Sequence, residues 1–319
     1  MILLILIQSI SSRSRPSSRF RGSFIDYFPS ETHVKSMSNL DTRPNIDSGC
    51  HFIHNCMFKK IQYHENGGVI SIISDNQCYM LVESSTFQEV VVNGDYQGGA
   101  IYFLCSQKGS SVLSKVCAAN CSTNIDQYHQ FALIGTSFSQ LNSAHYLSIV
   151  ACNPISGSAH SAMKFLFGNQ TVSGINSTKH SLSTFSGAYF RSSKQCVVQF
   201  STFADTKVQY RVCIMFHQGD NDLFRFSNFV NNSESQTNSN QPGLITSYES
   251  STAIEECVFS DNSPTLFHVE KGSLDIFRSW IPPNVNTIGI YICKNKGITQ
   301  THKLRHFKSL FCDADTWIE

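Results

Sequence analysis

Charge is scarce in this chain. Asp, Glu, Lys and Arg make up 15% of its 319 residues, against about 25% in an average domain, and the formal net charge is +1. Lys and Arg gather into no stripe, which removes the footprint of a nucleic-acid-binding protein. The one basic cluster, Arg13, Arg15, Arg19 and Arg21, sits in a Ser-rich stretch near the start. No later run approaches the ~18 apolar residues that span a bilayer, so no transmembrane segment is expected. There is no CxxC, and with it go the zinc-ribbon and thioredoxin signatures. Gly98 and Gly99 form no GxGxxG and precede a strand signal, which excludes a helix-borne phosphate cradle. Between about 50 and 290 no segment carries an amphipathic helical stripe, so leucine-rich, ankyrin and tetratricopeptide solenoids are out.

Phe, Ser, Asn and Thr fill the space that charge leaves. The 24 Phe, with Val, Ile and Tyr punctuated by Ser and Asn, favour strands and turns. One short phrase recurs: "LVESSTF", "VVQFSTF", "LFRFSNF" and "AIEECVF", ending at Phe87, Phe203, Phe229 and Phe259. Five residues before each Phe stands a large apolar residue, Val82, Val198, Phe224 or Ile254. Four before stands a long polar one, Glu83, Gln199, Arg225 or Glu255. Two before stands a small one, Ser85, Ser201, Ser227 or Cys257. Weaker copies end at Phe58 and Phe138, with Cys56 and Thr136 in the small slot. A second strand signal precedes each phrase, as in "GGVISII", "GGAIYFL", "VCIMF" and "GLITSY".

Two or three short strands in 22–31 residues are too few for a propeller blade of about 40–45. They fit one coil of an all-β, right-handed parallel β-helix, in which equivalent residues stack ~4.8 Å apart. The pattern predicts roughly nine coils over 46–300, a rod about 45 Å long. In it Phe87, Phe203, Phe229 and Phe259 share an interior file, and Val82, Val198, Phe224 and Ile254 another. Gln199, Arg225 and Glu255 then share an exposed ladder, with Arg225 and Glu255 near enough to pair. Residues 141–186 read as an irregular excursion and 1–45 as a disordered or capping segment. Residues 301–319 read as a terminal cap or tail, with a mild helical pattern over 301–311.

Gly98–Ile101 resembles the GGA[ILV] half of the repeat in polymorphic outer-membrane proteins. Phe52–Asn55, Phe229–Asn232 and Phe259–Asn262 resemble its FxxN half. The chain is also similar to the pectin-lyase-like β-helix surface proteins that form large families in parasitic protists. The resemblance implies an extracellular or cell-surface protein that binds or adheres to glycans or proteins without catalysis. Because the fold is shared with polysaccharide lyases and hydrolases, a carbohydrate-active enzyme is the alternative, and a truncated, non-functional family member a third.

The residues offer little chemistry. "HQGDND" supplies His217, Asp220 and Asp222, the candidates for catalysis if the chain is an enzyme, although the motif also reads as a polar turn between two strands. Adjacent Glu255 and Glu256 face opposite sides of a strand and cannot act as a pair. In "CHFIHNC", Cys50, His51, His54 and Cys56 could bind zinc, but they coincide with the start of a coil. His302 and His306 lack the Glu of a zincin. No metal or cofactor is expected.

Export is left open by the start, "MILLILIQSISSRSRP", whose apolar run is slightly short of a secretory signal. If the chain is exported, Asn120, Asn169, Asn176 and Asn231 are glycosylation candidates. Some of its twelve cysteines would then pair, with Cys117/Cys121 and Cys50/Cys56 as local possibilities. In a reducing compartment all would be small buried residues. Cys56 and Cys257, in the small slot, read as free thiols.

Overall fold

The structure is a computed structural model. It describes residues 24–312, apart from 32, 47, 125–128, 138–139, 155–159, 183–186, 192–193, 209–213, 235–242, 263–264, 284–285, 290, 295–300, 305, 308 and 310–311. Of 286–288 and 291–294 it describes the backbone alone. Within these limits the chain is a parallel β-solenoid, with a single four-residue helix, Phe24–Tyr27.

Each coil lays a strand on face one, a second on face two and a short third on face three. Ile70–Ser74, Cys78–Glu83 and Thr86–Gln88 make one such coil. The next is Ile101–Cys105, Gly109–Ser114 and Cys117–Ala119. Faces one, two and three become parallel sheets of nine, eleven and eight strands. Among the described residues, seven consecutive coils between Ile70 and Ser260 have strands on all three faces, so about six turns separate the first from the last. The expected nine coils are corrected to that extent. Before Ile70 the chain supplies faces two and three only. After Ser260 face three is reduced to a single bridge between Val258 and Trp280.

The repeated phrase has the expected meaning. Phe58, Phe87, Ala118, Ile149, Ser177, Phe203, Phe229 and Phe259 pair in unbroken register down face three. Every one of them is buried. Ring centroids lie 5.5 Å apart between Phe203 and Phe229 and 4.8 Å between Phe229 and Phe259, within the range of favourable aromatic stacking. Ile53, Val82, Leu113, Ala144, Val172, Val198, Phe224, Ile254 and Ile276 form the second file, on face two. Burial of such side chains contributes about 1.5–3 kcal/mol each, and these files are the core.

The corner is made by the residue before the small slot. Ser84, Phe200, Phe226 and Glu256 all take left-handed φ of 49–52°, a conformation that costs an L-residue roughly 1–2 kcal/mol. The small residue offsets this by tying coils together. Ser227 Oγ accepts the Ser201 amide at 3.1 Å and donates to the Arg225 carbonyl at 2.9 Å. Ser201 and Ser85 repeat that pattern. At the far corner Asn232 and Asn262, the FxxN asparagines, form an amide ladder. Asn232 Nδ2 donates to Asn262 Oδ1 at 3.0 Å, and Asn262 Nδ2 donates to the Phe229 carbonyl at 2.9 Å. Asn55, the third FxxN match, lies instead at the first corner, exposed and left-handed. Gly98 has φ 68°, and a Cβ on Gly99 would run into the Gln130 carbonyl of the next coil.

Several expectations are overturned. The described part of 141–186 belongs to the coils: Leu141–His145, Ser148–Val150, Asn169–Ser173 and Asn176–Thr178 pair in unbroken register with their neighbours, and Ser161–Leu166 pairs with one register shift. Their interior slots hold Ala144, Ile149, Val172 and Ser177 instead of Phe, so the phrase is present with smaller words. Thr136 belongs to the turn after face one rather than to a corner, and Phe138 lies outside the described residues. The start does more than cap. Val34–Ser38 is the first strand of face two, and Phe24 and Phe28 pack against Leu81 and Val112. Residues 1–23 lie outside the described residues. Arg225 and Glu255 are register partners, but Arg225 Nε turns the other way and donates to Gln199 Oε1 at 2.8 Å.

The described residues between 301 and 312 form no helix. They return along the outside of face three. His302 sits at Asn228, His306 at Thr202 and Phe307 at Ser148, and Cys312 is bonded to Cys117 in a disulfide. The tail thus crosses four coil steps, about 19 Å.

Candidate binding surface

The sequence-derived site residues lie on two successive strands and the turn between them. His217 ends the face-one strand Ile214–His217. Asp222 begins the face-two strand Asp222–Arg225, is buried, and accepts a hydrogen bond from Ser250 Oγ at 2.6 Å. Asp220, in the turn between them, is exposed. A buried carboxylate bonded to a neighbouring serine serves as a structural tie between coils. Among the described residues no three of His, Cys, Asp and Glu gather closely enough to hold a metal. Glu256 pairs with Arg278 at 2.9 Å at the exposed corner. Cys50 donates to Glu31, and His54 shares a hydrogen bond with Ser36 at 3.1 Å.

Neither local cysteine pairing forms, because Cys117 is bridged to Cys312 and Cys50, Cys56 and Cys121 are free. Cys56 and Cys257 are buried free thiols, as read from the small slot. Cys257 mimics the serines: its thiol donates to the Glu255 carbonyl, and burial drives its pKa upward. Of the sequon asparagines, Asn120, Asn169 and Asn231 are exposed, whereas Asn176 is buried on face three.

Register creates a surface that the sequence order hides. Lys164 and Tyr189 are partners on face one, and Arg191, His217 and Tyr248 follow one another in the adjacent outward column. The Tyr189 hydroxyl and His217 Nδ1 share a hydrogen bond of 2.7 Å. The His217 ring meets Tyr248 edge-on, with centroids 4.9 Å apart. Lys164 Nζ stands 4.9 Å above the Tyr189 ring, and Lys271 Nζ stands 5.5 Å from the Tyr248 ring. Both are cation–π distances. Lys271 also pairs with Glu249 at 3.4 Å, and Glu249 accepts from Gln218 at 3.0 Å.

Electrostatics follow from this crowding. Burial, reinforced by nearby Arg191, lowers the Lys164 ammonium to about 8. Burial also lowers His217, again with Arg191 contributing, so its ring is neutral near pH 7. The amide of Gln218 holds Glu249 below its ordinary value, and the Tyr248 hydroxyl holds Lys271 above its own. The result is an aromatic run edged by three cations, Lys164, Arg191 and Lys271. Tyr189 is buried and backs the run, while half-buried Tyr248 and exposed Lys271 are the groups that can stack a sugar ring and pair with its acid group. The strands "MKFL", "AYFR", "IMFH" and "ITSY" carried these residues in the sequence, but no spacing rule shows which outward side chains become neighbours.

The fold places the chain in the class of parallel β-solenoids. Comparison with protein-family models, with curated proteins and with solved structures gives no match. No helix among the described residues is long and apolar enough to cross a membrane.

Proposed function

We propose that this chain is a non-catalytic, extracellular β-solenoid that binds an acidic glycan along face one, akin in role to pectin-lyase-like surface proteins. The observation that carries the reading is the run Tyr189–His217–Tyr248 edged by Lys164, Arg191 and Lys271. Consecutive coils offer these groups at the ~4.8 Å strand spacing, in step with a ligand that is itself repetitive. The Cys117–Cys312 disulfide supports export, because such bonds persist in oxidising compartments. The exposed sequons Asn120, Asn169 and Asn231 are consistent with it.

Calorimetric titration with polygalacturonate and with neutral dextran tests the reading. Binding to the acidic polymer alone is expected, weakened by added salt and by Tyr248→Ala or Arg191→Ala. Equal binding of both polymers, or indifference to both substitutions, would sink it.

One observation favours an enzyme instead. Lys164, with its lowered pKa, lies beside Arg191 and the Tyr189–His217 pair, a set suited to abstracting the proton α to a uronate carboxyl. Appearance of an ultraviolet-absorbing unsaturated product from polygalacturonate, lost in Lys164→Met, would establish this second reading.

A further inference from the structure

The outward column of face three changes character where the tail crosses it. Met57, beyond the tail, is 46% exposed. Further along the same column Ser148, Asn176, Thr202 and Asn228 are each exposed by 5% or less. Polar side chains buried this deeply need partners; the tail supplies main-chain groups to Asn228 and Ser148 and the His306 ring to Thr202, at 2.8 Å. Asn228 Nδ2 donates to the His302 carbonyl and Asn228 Oδ1 accepts the His302 N–H, both at 2.9 Å. Ser148 Oγ donates to the Phe307 carbonyl. A bidentate asparagine on one residue's N–H and C=O recognises an extended backbone whatever its side chains. Asn176 stands between Thr202 and Ser148, is 1% exposed, and among the described residues has no hydrogen-bond partner at either amide atom. An unpaired buried amide is destabilising, so the tail is an imperfect occupant of this column.

We propose that the Ser148–Asn176–Thr202–Asn228 column is a docking site for an extended peptide segment of a partner protein, read through its main chain. Residues 301–312 are then a built-in competitor, held there by the Cys117–Cys312 bridge. The bridge makes that competition intramolecular, which is worth a high effective concentration. A dithiol reductant removes it: the dithiol is oxidised to its own disulfide, and two electrons and two protons convert the bridge to the Cys117 and Cys312 thiols. The tail is then left with its few hydrogen bonds, and a peptide that also engages Asn176 displaces it.

The full chain is compared oxidised and after dithiothreitol, by hydrogen exchange and by binding of a fluorescent peptide. The peptide has the sequence 301–312 with serine for its cysteine. Reduction is expected to expose 301–312 while strands between 195 and 260 stay protected, and only the reduced protein should bind the peptide. Asn228→Ala should weaken that binding about tenfold, a loss typical of one bidentate contact. Binders selected from a displayed random-peptide pool on the reduced protein should lose affinity on Asn176→Ala. Four results overturn the proposal: a tail that stays protected after reduction, loss of protection throughout the solenoid, no peptide binding, or pool binders indifferent to Asn176→Ala.

Discussion

Ser227 shows how little of a coil is decided by apolar area alone. Its hydroxyl closes a left-handed corner and joins two coils, so Ser227→Ala leaves a buried amide without its acceptor. The expected loss is about 1–3 kcal/mol, read by equilibrium denaturation, with Ser227→Cys retaining more because Cys257 fills the same slot. A loss below about 0.5 kcal/mol, typical of plain surface changes, would contradict the role given to this ladder. His180 occupies the far-corner position otherwise held by Cys152, Thr206 and Asn232. It is buried, shares a 2.9 Å hydrogen bond with Ser177, and burial lowers its pKa to about 4. The unfolded chain takes up this proton near pH 6.5 while the folded chain resists to about 4. Between those values acid favours unfolding. Stability from His180 is therefore complete above about pH 6.5 and falls towards pH 4, by an amount on the order of 3 kcal/mol. Denaturation midpoints across that range should show the fall, and His180→Asn should reduce it, leaving the share of His129, His145 and His306, whose pKa values burial also lowers.

At the level of elements, the files and the tail do different work. Phe229 lies between Phe203 and Phe259 and touches Phe224 across the interior. Phe229→Ala is expected to cost about 3–5 kcal/mol, because the ring's neighbours are fixed by sheet register and cannot close the cavity. A cost under about 1 kcal/mol in urea unfolding would mean the file is not a packed core. The Cys117–Cys312 bridge spans 195 residues of sequence. Closing so long a loop lowers the entropy of the unfolded chain, and native disulfides of this kind contribute about 2–5 kcal/mol. Thermal unfolding with and without reductant measures this, and identical midpoints would show the bridge to be idle. The face-one run is an element only by virtue of stacking: Tyr189, His217 and Tyr248 come from three strands. Tyr189 is buried beside Met215, so substitutions that test binding without loss of fold belong at half-buried His217 and Tyr248, where ligand affinity should change more than denaturation midpoints.

Across the whole molecule, each coil touches only the coils next to it, so stability is close to a sum of coil and neighbour terms. The seven complete coils hold the files, and the incomplete ends expose the least-supported strands. Hydrogen exchange should therefore be slowest between Val112 and Phe259 and faster towards both ends. Uniform protection from Val34 onward would show that the ends are held by something other than stacking.

The parallel coil was legible in the sequence because it forces equivalent positions into identical surroundings. Interior Phe, corner Ser and FxxN Asn recur wherever the same slot recurs, with a period of 22–31 residues that no globular packing would impose. Where the slots hold Ala144, Ile149 and Ser177 the words change and the pattern fades, which is why 141–186 looked irregular. The bridge, the tail's path and the face-one surface could not be read in the same way. Each joins residues whose proximity is set by how many coils lie between them and by which way a side chain leaves the strand. Cys117 meets Cys312, and Tyr189 meets His217, only after the backbone has wound. Local pattern determined the winding, because strand pairing repeats from coil to coil. Winding then decided what meets on its outer surface, because side chains there answer to no repeat.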